Sequence, residues 1–176
     1  MIKQYSTIAA KDETHEMSNP RIMVLGVGNE LLSDEGLGIH FLKYLRQGDL
    51  PDNVELLEGG TAGMELIGLI QDTDFLIIVD ALNANTNPGE LFRFKPQDLK
   101  IFPEMFTVSF HQVGILDVLT TASILGTVPE TIIYGVQPKS LEWGLELSPE
   151  ITAVLPRLKE YIFKDISHIQ DTLQFP

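Results

Sequence analysis

The sequence contains no cysteine, few basic residues and no long apolar run. Without cysteine it can form neither a disulfide framework nor a thiolate-bound zinc or iron–sulfur site. Lysine and arginine number 12 against 25 aspartates and glutamates, and the net charge of −13 argues against general binding to nucleic acid or anionic lipid. No apolar stretch reaches the roughly 18 residues of a membrane span, and the N-terminus lacks the apolar segment of a signal peptide. These absences predict an acidic cytoplasmic protein with no nucleic-acid or membrane partner.

The order of apolar segments along the chain predicts one α/β domain. Strands and helices alternate over residues 21–164, which predicts a three-layer α/β/α domain with a mainly parallel, twisted sheet of about five strands and helices on both faces. Residues 1–20 are predicted to form a polar arm, and residues 165–176 a C-terminal tail. The predicted strands span 21–27, 54–57, 75–81, 90–94 and 131–136. The predicted helices span 39–46, 62–71, 115–125 and 149–163, the last kinked or restarted at Pro156.

The first predicted strand ends in a glycine-rich turn that carries two adjacent carboxylates. Gly26 and Gly28 allow the backbone to turn tightly and leave room for a partner. Asp34 and Glu35 follow, just before the next predicted helix. In open α/β sheets, sites form where such loops meet at the carboxyl ends of the strands. We interpret Asp34 as a helix-start acid stabilised by the helix dipole, and Glu35 as a candidate ligand.

Two later segments place further donors at the ends of regular elements. Asp80 closes the apolar strand at 75–81, and His111 precedes the predicted helix at 115–125. If Glu35, Asp80 and His111 lie at one edge of the sheet, they form a set of oxygen and nitrogen donors suited to a divalent metal. Each also has a structural interpretation, as a first-turn acid, a turn cap and a hydrogen-bonded histidine. The remaining histidines, His15, His40 and His168, are predicted to be surface residues.

Three other features admit two interpretations each. Gly59, Gly60 and Thr61 form either a turn with a helix N-cap or a backbone platform for an extended substrate segment. Gly26 and Gly28 start a dinucleotide fingerprint, but the third small residue is replaced by Leu31. A group of aromatic residues forms either a partner-binding surface or part of the core: Phe92, Phe94, Phe102, Phe106, Phe110 and Trp143.

Eight short motifs follow one another along the chain: Gly26–Asn29, Asp34–Gly38, Gly59–Leu66, Ile78–Ala81, Pro88–Gly89, His111–Gln112, Gly135–Val136 and Leu147–Pro149. In this order and spacing they resemble the motifs of nickel–iron hydrogenase maturation endopeptidases. The resemblance covers Arg21 to about Lys164. One departure is Glu58, where the family more often has aspartate.

The resemblance implies a protease that removes the C-terminal extension from the precursor of a hydrogenase large subunit once nickel is in place. It implies metal-ligand roles for Glu35, Asp80 and His111, with nickel bound by this chain or supplied by the precursor. It assigns no catalytic residue. The alternatives are a non-catalytic nickel-binding chaperone with the same ligands and a small nucleotide-binding α/β module.

Overall fold

The computed structural model describes residues 19–101, 110–126 and 128–174, and it contains a five-stranded sheet. Most of the predicted N-terminal arm, residues 1–18, lies outside this part. The strand order is β2-β1-β3-β5-β4, and only β4 runs antiparallel to its neighbour. The strands are β1 Ile22–Val27, β2 Val54–Gly60, β3 Phe75–Ala81, β4 Leu91–Phe94 and β5 Glu130–Val136. The predicted mainly parallel sheet is confirmed.

Helices cover both faces of the sheet, which confirms the predicted three-layer architecture. They are α1 Leu37–Leu45, α2 Ile67–Ile70, α3 Pro96–Ile101, α4 Phe110–Ile124, α5 Pro149–Thr152 and α6 Leu155–Gln174. On one face, α1 and α6 pack on Val24, Ile77 and Val79. On the other face, α4 packs on Leu25 and Ile78. None of the helices described here is both long and apolar enough to cross a membrane.

Two helices differ from their predicted bounds. The helix predicted at 62–71 is reduced to a 3-10 turn, Met64–Leu66, and the single turn of α2. Gly63 and Gly68 explain the difference, because glycine in a helix costs about 1 kcal/mol relative to alanine. Helix α4 starts at Phe110, so His111 lies in its first turn and not before the helix.

The predicted C-terminal tail is wrong, because α6 continues through residues 165–174. Ile162, Ile166 and Ile169 are buried at helical spacing against α1 and the sheet. Asp165 accepts two hydrogen bonds from Arg93 of β4, at 2.8 and 3.0 Å. Between Ile166 and Ile169 the chain has only polar, exposed residues, Ser167 and His168, which made the segment resemble a tail. The restart at Pro156 is confirmed, since α6 begins one residue earlier.

Replacing Ile166 by alanine should destabilise the protein by about 3 kcal/mol, the usual cost of a cavity left by a buried isoleucine. Ile166 is 1% exposed. Urea denaturation measures the change, with His168→Ala as the control on the exposed side of the same helix. Equal stabilities of the two variants would contradict packing of this segment into the core.

Candidate functional site

Two glycines allow helix α1 and the turn before it to approach the sheet closely. A Cβ atom on Gly38 would lie 2.3 Å from the carbonyl oxygen of Val27 and 2.5 Å from that of Val79. Gly28 has a φ of +127°, and a Cβ there would lie 1.8 Å from the carbonyl oxygen of Glu35. The 3-10 turn Ser33–Gly36 is therefore held against the carboxyl ends of β1 and β3.

Asp80 lies at this edge, and its carboxyl group is buried. It is 2% exposed, and neither carboxylate oxygen has a hydrogen-bond partner of ordinary geometry among the described residues. Burial raises the pKa of Asp80 from 3.8 to about 7; the backbone amide of Ala81 partly offsets this, and the charge of Glu35 adds to it. A carboxyl group with these properties is typical of a functional site.

Glu35 and Asp80 lie close together, while His111 is placed only by its backbone. Glu35 is half-buried and close enough for its charge to raise the pKa of Asp80. His111 lies in the first turn of α4, the helix that covers the face of the sheet containing Ile78. Asp80 belongs to that face, because side chains two apart in a strand point the same way. The side chain of His111 lies outside the described part.

The carboxylate pair fits a cation, although the described side chains do not complete a metal site. No group of three His, Cys, Asp or Glu side chains able to hold a metal occurs among them, and His111 is not in that set. The two carboxylate oxygens of Asp80, buried beside a second acid, nevertheless have the character of cation ligands.

Asp34 has a role beyond the predicted one at the start of a helix, because its carboxylate binds a loop that is distant in sequence. The side chain is fully buried and accepts hydrogen bonds from Lys139 N and Ser140 N at 2.9 Å each. Ser148 donates two more, from its backbone N at 2.7 Å and its Oγ at 2.9 Å. Asp34 thus holds both ends of the loop 139–148 against the turn that carries Glu35. Sequence reasoning missed this role, since the donors lie 105 to 114 residues away.

Gln137 organises the segment that follows Asp80 and was also missed. It ends the apolar run of β5 and is 7% exposed. Its Oε1 accepts hydrogen bonds from Ala84 N at 2.8 Å and Thr86 N at 3.3 Å, and its Nε2 donates to Asn83 Oδ1 at 3.3 Å. A polar residue directly after a buried strand was the only sequence signal.

The remaining histidines and aromatics divide between surface and interior. His40 was predicted to be a surface residue, but it is half-buried against Gly36, and its Nε2 is buried without a hydrogen-bond partner among the described residues. His168 is exposed as predicted. Phe94 is in the core, whereas Trp143 is 82% exposed. His15, Phe102 and Phe106 lie outside the described residues, as does the side chain of Phe110.

The segment Gly59–Gly60–Thr61 borders the same edge. Strand β2 extends through Gly60, whose carbonyl oxygen accepts a hydrogen bond from Gly28 N at 2.8 Å. Thr61 is exposed, and the following 3-10 turn begins at Met64 with Gly63 at its N-cap. The N-cap interpretation of Thr61 is therefore wrong. Glu58 pairs with Arg46 at the end of α1.

Comparison with known proteins gives concordant matches. The hydrogenase maturation protease family matches residues 39–165. A hydrogenase 2 maturation protease of Escherichia coli strain K12 is 42% identical over 148 residues, which are 81% of this chain and 88% of that protein. The structure of the hydrogenase-maturating endopeptidase HybD from E. coli has a TM-score of 0.77 and 38% identity, covering 84% of this chain and 93% of that one. The NiFe hydrogenase maturation protease HycI from Thermococcus kodakarensis KOD1 has a TM-score of 0.70 and 26% identity, covering 85% and 94%.

Proposed function

Because the chain belongs to the hydrogenase maturation protease family and is an endopeptidase, we propose that it removes the C-terminal extension from the precursor of a nickel–iron hydrogenase large subunit. We further propose that Glu35, Asp80 and His111 bind or recognise nickel, either resident in this protein or carried by the precursor. The observation that carries the site assignment is the buried carboxylate of Asp80, which has no hydrogen-bond partner among the described residues and lies beside Glu35.

The protonation of Asp80 supports a role in binding a cation. Burial raises the pKa of Asp80 to about 7, so in the metal-free protein this carboxyl group keeps its proton to a much higher pH than an ordinary aspartate. A metal ligand must be deprotonated, so a cation would replace this proton. Glu35 disfavours ionisation of Asp80 through like charge, and a cation between the two carboxylates would remove that repulsion.

Nickel at these residues would supply Lewis-acid polarisation of the scissile carbonyl, or would serve as a mark that the precursor is loaded. The protein's own contribution is to hold Glu35 on a turn packed against Gly28 and to place Asp80 where water has little access.

Gly59, Gly60 and Thr61 are the proposed contact for the extended substrate segment. Support comes from the hydrogen bond between Gly60 and Gly28, which places the end of β2 beside the glycine loop. Strand β2 is at one end of the described sheet. An extended peptide can add to such an edge through main-chain hydrogen bonds.

Cleavage of the precursor tests the proposed function. Wild-type protein should cut nickel-loaded large-subunit precursor and leave nickel-free precursor intact, as read from a gel shift. Glu35→Gln and His111→Gln should fold with melting temperatures within a few degrees of wild type and lose cleavage, because each loses a ligand for nickel. The matched controls are Glu130→Gln, at the exposed start of β5, and His168→Gln on α6.

The alternatives predict different results in the same assay. A nickel-binding chaperone would transfer metal without shortening the precursor, and a nucleotide-binding module would do neither. Equal cutting of loaded and nickel-free precursor would remove nickel recognition from the proposal. Full activity of Glu35→Gln would remove Glu35 from the site. We also propose that the reaction takes place in the cytoplasm, which the acidic composition of the chain supports.

A further inference from the structure

Four large apolar side chains are exposed beside the candidate site. Trp143 is 82% exposed, Leu145 64%, Leu31 51% and Leu141 49%. We call these four residues the apolar ledge. Single exposed apolar residues are ordinary on protein surfaces, but a group of them indicates an interaction site.

Backbone hydrogen bonds join the two loops that form the apolar ledge. Gly144, between Trp143 and Leu145, donates its N–H to the carbonyl oxygen of Leu31 at 3.0 Å. Its own carbonyl accepts the N–H of Ser33 at 2.8 Å. Ser33 Oγ donates to the carbonyl oxygen of Glu142 at 3.0 Å. The backbone segments that carry Leu31 and Trp143 therefore lie next to each other.

Asp34 anchors the loop that carries Trp143. Its carboxylate holds the loop at Ser140 and at Ser148, on either side of the segment that carries Trp143. Ser33 keeps a φ of 47°, a conformation that is uncommon outside glycine and that these bonds maintain. A loop held in this way loses little conformational entropy when a partner binds, so its contacts translate efficiently into affinity.

The ledge is continuous with the turn that holds Glu35. Leu31 lies four residues before Glu35, and Gly28 packs on the carbonyl of Glu35 itself. A molecule bound at the ledge would therefore lie next to the turn Ser33–Gly36, which packs against the carboxyl ends of β1 and β3.

We propose that the apolar ledge docks an apolar surface segment of the hydrogenase precursor and so presents the extension to the site; this rests on the proposed function. A second copy of this chain is a poorer occupant, because two chains of net charge −13 repel each other. Tryptophan is one of the residue types enriched among those that dominate binding energy at protein interfaces, and Trp143 is the most exposed member of the ledge.

Steady-state cleavage of nickel-loaded precursor by Trp143→Ala tests the proposal. We expect KM to rise at least about tenfold with kcat within about twofold of wild type, because docking away from the scissile bond contributes equally to substrate and transition state. The melting temperature should not change, since Trp143 packs little. Ile124→Ala is the matched control: Ile124 is 81% exposed at the end of α4 that leads into β5, and its KM should equal that of wild type.

A second measurement detects docking without cleavage. Trp143 is the single tryptophan of the chain, so 5-fluorotryptophan labels this position alone. Unlabelled precursor should shift the fluorine resonance as it is added, and lysozyme, as an unrelated protein, should not.

The two measurements separate the docking proposal from the proposed function. Cleavage by wild type with unchanged KM in Trp143→Ala and no fluorine shift would overturn docking and leave the protease function intact. A fluorine shift without any cleavage would support docking and overturn the function. Loss of kcat at unchanged KM would assign Trp143 to the chemistry and contradict docking, and absence of both cleavage and shift would overturn both proposals.

Discussion

Replacing Asp80 by asparagine is expected to stabilise the metal-free protein at and above neutral pH while abolishing precursor cleavage. The folded state holds a proton on Asp80 up to a pKa of about 7, whereas the ordinary value is 3.8. Between pH 3.8 and about pH 7 the folded state therefore binds more protons than the unfolded state. The stability that this group contributes is present below pH 3.8 and is lost as the pH rises to about 7. A shift of this size corresponds to about 4 kcal/mol. Asparagine resembles the protonated acid and avoids that loss.

Urea denaturation in the presence of a chelator measures this effect. The stability difference between Asp80→Asn and wild type should grow from about pH 4 to about pH 7 and then stay constant. Asp117→Asn, at an exposed position on α4, should show no such trend. A difference that is independent of pH would mean that Asp80 does not titrate in this range. Retained cleavage by Asp80→Asn would exclude the residue from the site.

Replacing Asp34 by asparagine is expected to destabilise the protein, with a loss of about 4 kcal/mol in the free energy of unfolding. Oδ2 accepts three of the four hydrogen bonds and Oδ1 the fourth. Asparagine keeps the size of the side chain but turns one acceptor into an NH2 group, which then faces a donor. At least one buried N–H is left without a partner. The remaining hydrogen bonds to this side chain become weaker, because the negative charge of the acceptor is lost.

The loop 139–148 supplies a readout specific to this role. Hydrogen exchange of the Lys139, Ser140 and Ser148 amides should become faster in Asp34→Asn, because their acceptor is weakened. Ser148→Ala removes the hydroxyl bond alone and should cost about 1 kcal/mol. If Asp34→Asn slowed cleavage without changing hydrogen exchange in the loop 139–148, Asp34 would affect the site by a route that does not involve this loop.

Much of the sheet and part of the site could be predicted from local sequence. Strands β1, β3 and β5 are buried on both faces, so each is a nearly continuous apolar run that stands out against the rest of the chain. Asp80 marks the end of one of these runs. Because parallel strands end at the same edge, the position of Asp80 near Glu35 followed from the order of elements. The motifs around these residues also carried the family resemblance.

Two predictions, the C-terminal tail and the surface position of His40, were wrong because the burial of these segments depends on distant parts of the chain. Among the described side chains in the last turns of α6, the buried apolar ones are Ile166 and Ile169, and their burial depends on α1 and the sheet being in place. His40 resembles a surface histidine on a short helix, yet Gly36 lets the backbone fold over it. In both segments the periodicity is present, but its meaning depends on neighbours that are distant in sequence.

The sequence by itself determined the fold class, the family and the position of Glu35 and Asp80 at strand-end loops, because these depend on apolar runs and glycines that act locally. Only the tertiary structure decided that Asp34 binds the loop 139–148, that Gln137 orders the segment after Asp80 and that Trp143 is exposed on a loop bonded to Leu31 and Ser33. A buried carboxylate is satisfied by whichever donors the fold brings to it, and an aromatic side chain is buried only if another element covers it. Neither property is encoded in the residues next to it in the chain.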